Sequence, residues 1–333
     1  MPKRAALFYD YLVKDGEVFG QGRRQTIEKL TDLYPEVINA KNFDEQASNL
    51  ADVEVIFATW GMPHLSDEQL GKMPKLEAIF YAAGNVRAFA QSIVDNGIML
   101  FGAWDMNAMP VAEMALAQVL LSCRGYFRTM RDYYETHDHG KAKAFHRPGV
   151  NGETIGLIGM GMIGKRLSAL LQGFSFRVIA NDPSLSKEQA AELGVEIVSL
   201  EELFRRSYIV SNHIPDLTST KEVLTGSLFD SMREGATFIN TGRGAQVSEA
   251  GLIETLKNRP DLTALLDVTY PEPPDADSEL WKLPNVWISP HIGGSVGDEV
   301  VRMADCMIEE FQAWETGKPL RYRITKEVLS TMG

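Results

Sequence analysis

The sequence predicts an α/β protein built from two doubly wound parallel sheets, and three observations point to it. Short apolar runs bounded by Gly, Pro or Asp alternate with amphipathic helical stretches along most of the chain. A glycine-rich turn, Gly159-Met160-Gly161-Met162-Ile163-Gly164, joins one such run directly to a helical stretch near the middle. The chain has 333 residues, enough for two domains that each bury a core.

In chain order, Ala5–Tyr9, Val53–Thr59, Leu76–Tyr81 and Ile98–Phe101 read as buried parallel strands, with amphipathic stretches such as Thr26–Leu33 and Val86–Asp95 between them. From Ala108 to about Tyr134 the pattern is helical, and the polar stretch Glu135 to Gly152 reads as a connector. A second series of strands follows at Thr154–Ile158, Phe176–Asn181, Val195–Val198, Ile209–Asn212, Thr237–Asn240, Ala264–Asp267 and Val286–Ser289, mostly separated by helical segments. The last helix, Ser295 to about Thr316, has no strand of its own to serve, and folding it back onto the first unit would make that unit discontinuous. The expected division is residues 1–103 completed by 294–333, with 104–293 inserted.

Composition narrows the function classes. Asp and Glu outnumber Lys and Arg by 45 to 33, a net charge of −12, and an acidic surface repels phosphate backbones, so no nucleic-acid partner is expected. Two cysteines, Cys123 and Cys306, are too few for a disulfide framework and read as buried thiols. The basic start Met1–Asp10 lacks the apolar stretch of a secretory signal. The region Met109 to Cys123 is interrupted by Glu113 and Gln118 and reads as too short to span a bilayer. A cytoplasmic protein with no membrane partner is expected.

The glycine turn is G-x-G-x-x-G with a strand before it and a helix after it, the context in which the pattern carries meaning. Gly159 permits the tight turn, Gly161 lets the backbone approach a pyrophosphate, and Gly164 lets helix and strand pack closely. Met162 and Ile163 then open a helix whose free N–H groups face the diphosphate. The next strand ends at Asp182, near the spacing of about 20 residues at which an acid binds the ribose hydroxyls; a carboxylate there repels a 2′-phosphate, so the expected cofactor is NAD.

Three later strand ends expose polar residues, and open α/β sheets bind ligands at the carboxyl ends of strands. Asn240-Thr241-Gly242-Arg243-Gly244 offers a guanidinium fork suited to a carboxylate. Asp267-Val268-Thr269-Tyr270-Pro271-Glu272-Pro273 holds a carboxylate in a proline-stiffened loop, and Ser289-Pro290-His291-Ile292-Gly293-Gly294 places an imidazole before two glycines. Singly, these are an arginine in a turn, a loop acid and a structural histidine. Jointly they suit a site that moves a proton to or from an oxygen while a hydride moves at the adjoining carbon.

These segments, with the glycine turn and Asp182, resemble the signatures of the D-isomer-specific 2-hydroxyacid dehydrogenases over nearly the whole chain. The resemblance implies a Rossmann NAD-binding domain inserted in a discontinuous flavodoxin-like substrate domain, and a homodimer built through the nucleotide domain. It implies reduction of a small 2-oxo acid of the glyoxylate or hydroxypyruvate type. Arg243 would bind substrate, Glu272 would support the histidine, and His291 would donate the proton. Asp267, Gly293, Thr241, Gly242 and the His213-Ile214-Pro215 loop would complete the cofactor site. Ala83, Gly84 and Asn85 resemble the loop that holds the substrate carboxylate, and Trp60 would line the substrate mouth, although a core tryptophan fits as well. Asn107-Ala108-Met109-Pro110-Val111-Ala112-Glu113 is similar to the start of the family's interdomain helix. The chain departs from the family after Gly84, where Asn85-Val86-Arg87 replaces the usual approach to an Asp, leaving the substrate side chain open. Alternatives are a non-catalytic NAD-sensing protein like the family's corepressor relatives and, among enzymes, a 3-phosphoglycerate dehydrogenase. His137-Asp138-His139 invites a metal, but no metal is expected in this family.

Overall fold

The computed structural model describes residues 1–10 and 17–331. The chain divides into two units, Met1–Asn107 with Ser295–Gly333, and Ala108–Gly294.

The first unit holds a sheet of β1 (Arg4–Phe8), β2 (Asp32–Ile38), β3 (Val55–Ala58), β4 (Ala78–Tyr81), β5 (Met99–Gly102) and β13 (Arg323–Ile324), in the order β13-β5-β4-β3-β1-β2. The five strands from β2 to β5 are parallel and follow the flavodoxin-like order. Every side chain of β3 and β4 is buried, as continuous apolar runs covered on both faces require. One face packs against α12 (Val301–Glu315), where Phe311 meets Phe57 and Phe80 edge-on at 5.2 and 5.5 Å between ring centroids, and Phe80 stacks on Phe101 at 4.7 Å.

Two strands of this unit differ from the sequence reading. The amphipathic stretch Thr26–Leu33 is the end of α1 (Arg23–Leu30) and the start of β2. Pro35 and Glu36 break the apolar run of β2, and the sheet tolerates them because β2 is an edge strand. The short strand β13 closes the other edge antiparallel to β5, pairing Arg323 with Phe101 and Ile324 with Leu100.

The second unit is a seven-stranded parallel sheet of β6 (Thr154–Ile158), β7 (Arg177–Asn181), β8 (Glu196–Ile197), β9 (Ile209–Asn212), β10 (Thr237–Asn240), β11 (Thr263–Leu266) and β12 (Val286–Ile288), ordered β12-β11-β10-β9-β6-β7-β8. That is the Rossmann order, reversing beside β6, where the glycine turn begins.

The long helical pattern after residue 103 is two helices. α5 (Trp104–Cys123) ends before Gly125, which takes a left-handed φ of 66° and starts α6 (Tyr126–Thr136) in a new direction. α5 spans 20 residues, longer than the Met109–Cys123 region, so its length does not separate it from a membrane helix. Ala112, Ala115, Val119 and Cys123 are buried against Ile155, Leu157 and Ile209 in the core of the second unit.

Candidate active site

The glycine turn leaves β6 through Gly159, whose φ of 86° is closed to most side chains. A Cβ on Gly159 would lie 2.8 Å from the carbonyl oxygen of His213, and one on Gly164 would lie 2.1 Å from the carbonyl oxygen of Gly159. Gly161 is the opposite case: it caps α7 (Met162–Leu171), and a Cβ there would meet nothing within 4 Å. The open space lies in front of the helix N-terminus, where Met162 and Ile163 begin the first turn, and this is the cradle a diphosphate needs. Asp182, just beyond β7, accepts a 2.6 Å hydrogen bond from the Met160 N–H through one oxygen. Its other oxygen accepts from the Ser184 N–H and hydroxyl at 2.8 and 2.7 Å. The carboxylate is thereby fixed beside the turn.

The next two strand ends hold a buried amide network that sequence reasoning missed. Asn212 and Asn240 pair across β9 and β10, and the Asn212 amide donates to Asn240 Oδ1 at 3.0 Å and to Gln246 Oε1 at 2.6 Å. Gln246 in turn donates to the carbonyls of Ile214 and Pro215 at 2.7 and 3.0 Å and accepts from the Arg243 N–H at 3.1 Å. The Gly242 N–H donates to Asn240 Oδ1. The His213-Ile214-Pro215 and Thr241-Gly242-Arg243 segments are thus one connected structure. The signal available in the sequence was two strands ending in Asn, which alone names no partner.

His213 is buried, with Nε2 2.9 Å from the Ser211 hydroxyl and Nδ1 3.3 Å from that of Thr241. Burial pushes its pKa down to about 4, so the ring is neutral at working pH.

The third strand end is organised by Asp267, which is 3% exposed. Its Oδ1 accepts from the Ser289 hydroxyl at 2.6 Å and the Ile292 N–H at 2.9 Å, and its Oδ2 from the Gly293 N–H at 2.8 Å. These bonds wrap the 289–293 loop around one carboxylate and hold His291 at a left-handed φ of 53°. Backbone conformation of that kind in a non-glycine residue marks a position the surroundings impose. In this geometry the His291 Nδ1–H donates to Glu272 Oε1 at 2.6 Å. A carboxylate only accepts, so the proton sits on Nδ1 and Nε2 is left for chemistry.

Asn240, Leu266 and Ile288 stand in register at the ends of β10, β11 and β12, so Arg243, Glu272 and His291 leave the sheet from neighbouring strands on one edge. Of the three, Glu272 and His291 touch. The Arg243 guanidinium donates to its neighbour's carbonyl, Gly242 O, at 2.7 Å, and Gly244 lies against the Thr269 backbone.

Trp60, Ala83, Gly84 and Asn85 lie in the first unit, beyond the carboxyl ends of β3 and β4. Ala83 is buried, Trp60 packs against the core, and Asn85 is exposed with its side chain accepting from the Arg87 N–H. In the His137–His139 stretch the Asp138 carboxylate is taken by the Gly140 and Lys141 N–H groups, and the His139 ring packs on Tyr133. Among the described residues no three His, Cys, Asp or Glu side chains group as a metal site.

Residues 116–293 match the family model of the D-isomer specific 2-hydroxyacid dehydrogenase, NAD binding domain. A D-3-phosphoglycerate dehydrogenase of Archaeoglobus fulgidus is 30% identical over 87% of this chain and 58% of its own length. A glyoxylate reductase of Aeropyrum pernix is 34% identical over 54% of each chain. The chain thus spans little more than half the length of these two relatives. In fold, the crystal structure of a phosphoglycerate oxidoreductase from Rhizobium etli superposes with a TM-score of 0.80 over 99% of this chain and 100% of that one, at 24% identity.

Proposed function

The chain belongs to the D-isomer specific 2-hydroxyacid dehydrogenase family, and on that premise we propose that it is an oxidoreductase that moves a hydride between NAD(H) and C2 of a small 2-oxo or 2-hydroxy acid. The observation that carries the reading is the 2.6 Å bond between His291 Nδ1 and Glu272, which holds the ring by one nitrogen and leaves Nε2 free for proton transfer at a strand end. The substrate is of the glyoxylate or hydroxypyruvate type. The name of the Archaeoglobus fulgidus relative puts 3-phosphoglycerate second.

The residues present fit the cofactor. The open space at Gly161 and the N-terminus of α7 suit the diphosphate, and Asp182 suits the ribose hydroxyls and opposes a 2′-phosphate. Backbone groups of the 213–215 loop, Thr241, Gly242, Asp267 and Gly293 complete that site. When bound, NADH supplies the hydride. Arg243 grips the substrate carboxylate with its fork and polarises the C2 carbonyl. The His291 Nε2–H gives its proton to the C2 oxygen, and the Glu272 carboxylate stabilises the imidazolium before that transfer and keeps the ring oriented. Asp267 acts through the loop it binds. Trp60, Ala83, Gly84 and Asn85 are assigned to substrate recognition.

The family resemblance and α6 support a homodimer formed through the second unit. α6 buries none of its residues, and Tyr126, Tyr133 and Tyr134 are 46%, 44% and 74% exposed. The acidic charge and the burial of α5 support a cytoplasmic enzyme without nucleic-acid or membrane partners.

A panel of 2-oxo acids followed by NADH absorbance tests the reading. Glyoxylate and hydroxypyruvate should be reduced to the D or achiral hydroxy acid. No NADH oxidation with any short 2-oxo acid, while NADH binds, would leave a cofactor-sensing protein instead.

A further inference from the structure

The imidazole of His213 has no part in the chemistry just described, yet it is among the most constrained side chains of the second unit. Its Nε2 meets the Ser211 hydroxyl at 2.9 Å and its Nδ1 the Thr241 hydroxyl at 3.3 Å. Ser211, His213 and Thr241 are 0%, 8% and 7% exposed. A neutral imidazole has one N–H and one lone pair, so one hydroxyl donates to the ring and the other accepts from it. Both ring nitrogens are thereby spent, and none is left for an adenine or a nicotinamide.

The two ends of this bridge differ. Ser211 lies inside β9, in register with Ile239 of β10, so its position is set by the sheet. Thr241 lies in the turn that leaves β10 and leads to Arg243. The backbone of that turn is held by amide side chains, Asn240 on the Gly242 N–H and Gln246 on the Arg243 N–H, each at 3.1 Å. The Arg243 guanidinium closes onto the Gly242 carbonyl at 2.7 Å. His213 is the group that ties the Thr241 side chain to the sheet.

We propose that His213 is a positioning residue for substrate binding: its imidazole fastens the Thr241-Gly242-Arg243 turn to β9 and so sets where the Arg243 guanidinium stands. The inference rests on the reading of Arg243 as the substrate anchor. It moves the His213 side chain out of the cofactor site, where only the backbone of its loop remains.

The test compares His213→Leu, Thr241→Val and the double variant, with KM for glyoxylate and NADH affinity by fluorescence titration as separate readouts. Each single change should raise KM about tenfold, the worth of one buried hydrogen bond, and shift the NADH Kd by less than about twofold. The double variant should be no worse than the poorer single one, because both remove the same bridge. An unchanged KM, additive losses, or an NADH Kd that rises as much as KM would overturn the proposal. Should His213→Leu fail to fold, His213→Gln with Thr241→Val gives the same comparison. If the wild-type protein reduces no 2-oxo acid, the functional reading fails by itself, and the bridge is then tested by nitrogen NMR. The Arg243 Nε signal should move in His213→Leu and in Thr241→Val, and an unmoved signal overturns the proposal.

Discussion

Glu272 accepts the hydrogen bond of the His291 Nδ1–H at 2.6 Å, and both side chains keep more than a third of their surface open to solvent. An exposed pair of this kind contributes little to folding. Its value lies in the ring orientation it fixes and the imidazolium it supports. His291→Asn should therefore lower turnover by about a thousandfold and leave NADH affinity and thermal stability nearly unchanged, and Glu272→Gln should cost roughly a hundredfold by releasing the ring. Single-turnover rates beside NADH titration separate the effects; equal loss of rate and affinity would end the proton-donor assignment.

Arg243→Lys keeps the charge but loses the fork. It should raise KM for the 2-oxo acid by about tenfold or more, with a smaller effect on NADH binding. A KM that stays put would place the carboxylate anchor elsewhere.

Gly161 and Gly164 make opposite predictions inside one turn. A methyl on Gly161 meets no protein atom, so Gly161→Ala should unfold at nearly the wild-type temperature and yet bind NADH weakly. A methyl on Gly164 would stand 2.1 Å from backbone, and Gly164→Ala should cost about 2 kcal/mol of stability as well as binding. Calorimetry with and without NADH checks both.

Asp182→Ser removes the charge that opposes a 2′-phosphate and also frees the Met160 N–H. NADH affinity should fall and NADPH affinity rise, narrowing the preference by about tenfold. Persistent exclusion of NADPH would point to a steric barrier.

Burial holds the His213 pKa at about 4, below the ordinary 6.5. Between those values the unfolded chain binds the proton and the folded one does not, so this group's contribution to stability is full above pH 6.5 and is lost as pH falls toward 4. Urea unfolding of the wild type should weaken through that range, and His213→Gln should show a shallower slope there.

Much of the architecture was legible because fully buried parallel strands are continuous apolar runs, as β3 and β4 are. β2 escaped notice because Pro35 and Glu36 interrupt it, and an edge position excuses both. Gly125 broke a helix whose periodicity runs on past it, and a single glycine does not announce a left-handed φ. At the site, the acid and the imidazole were visible as types at strand ends. Asp267 was visible as an acid at a strand end, but its gathering of three donors from the 289–293 loop was not. Asn212, Asn240 and Gln246 were unreadable for a simpler reason: their meaning is in one another, and they meet only once β9 and β10 are adjacent.

The aromatic packing of Phe57, Phe80 and Phe101 against Phe311 has a consequence for biosynthesis. Three of those rings leave the ribosome before the second unit, and the fourth, on α12, leaves only after it. The nascent first unit must wait with one sheet face uncovered while the whole of Ala108–Gly294 emerges and closes. The unit that the ribosome starts before the other is therefore finished after it.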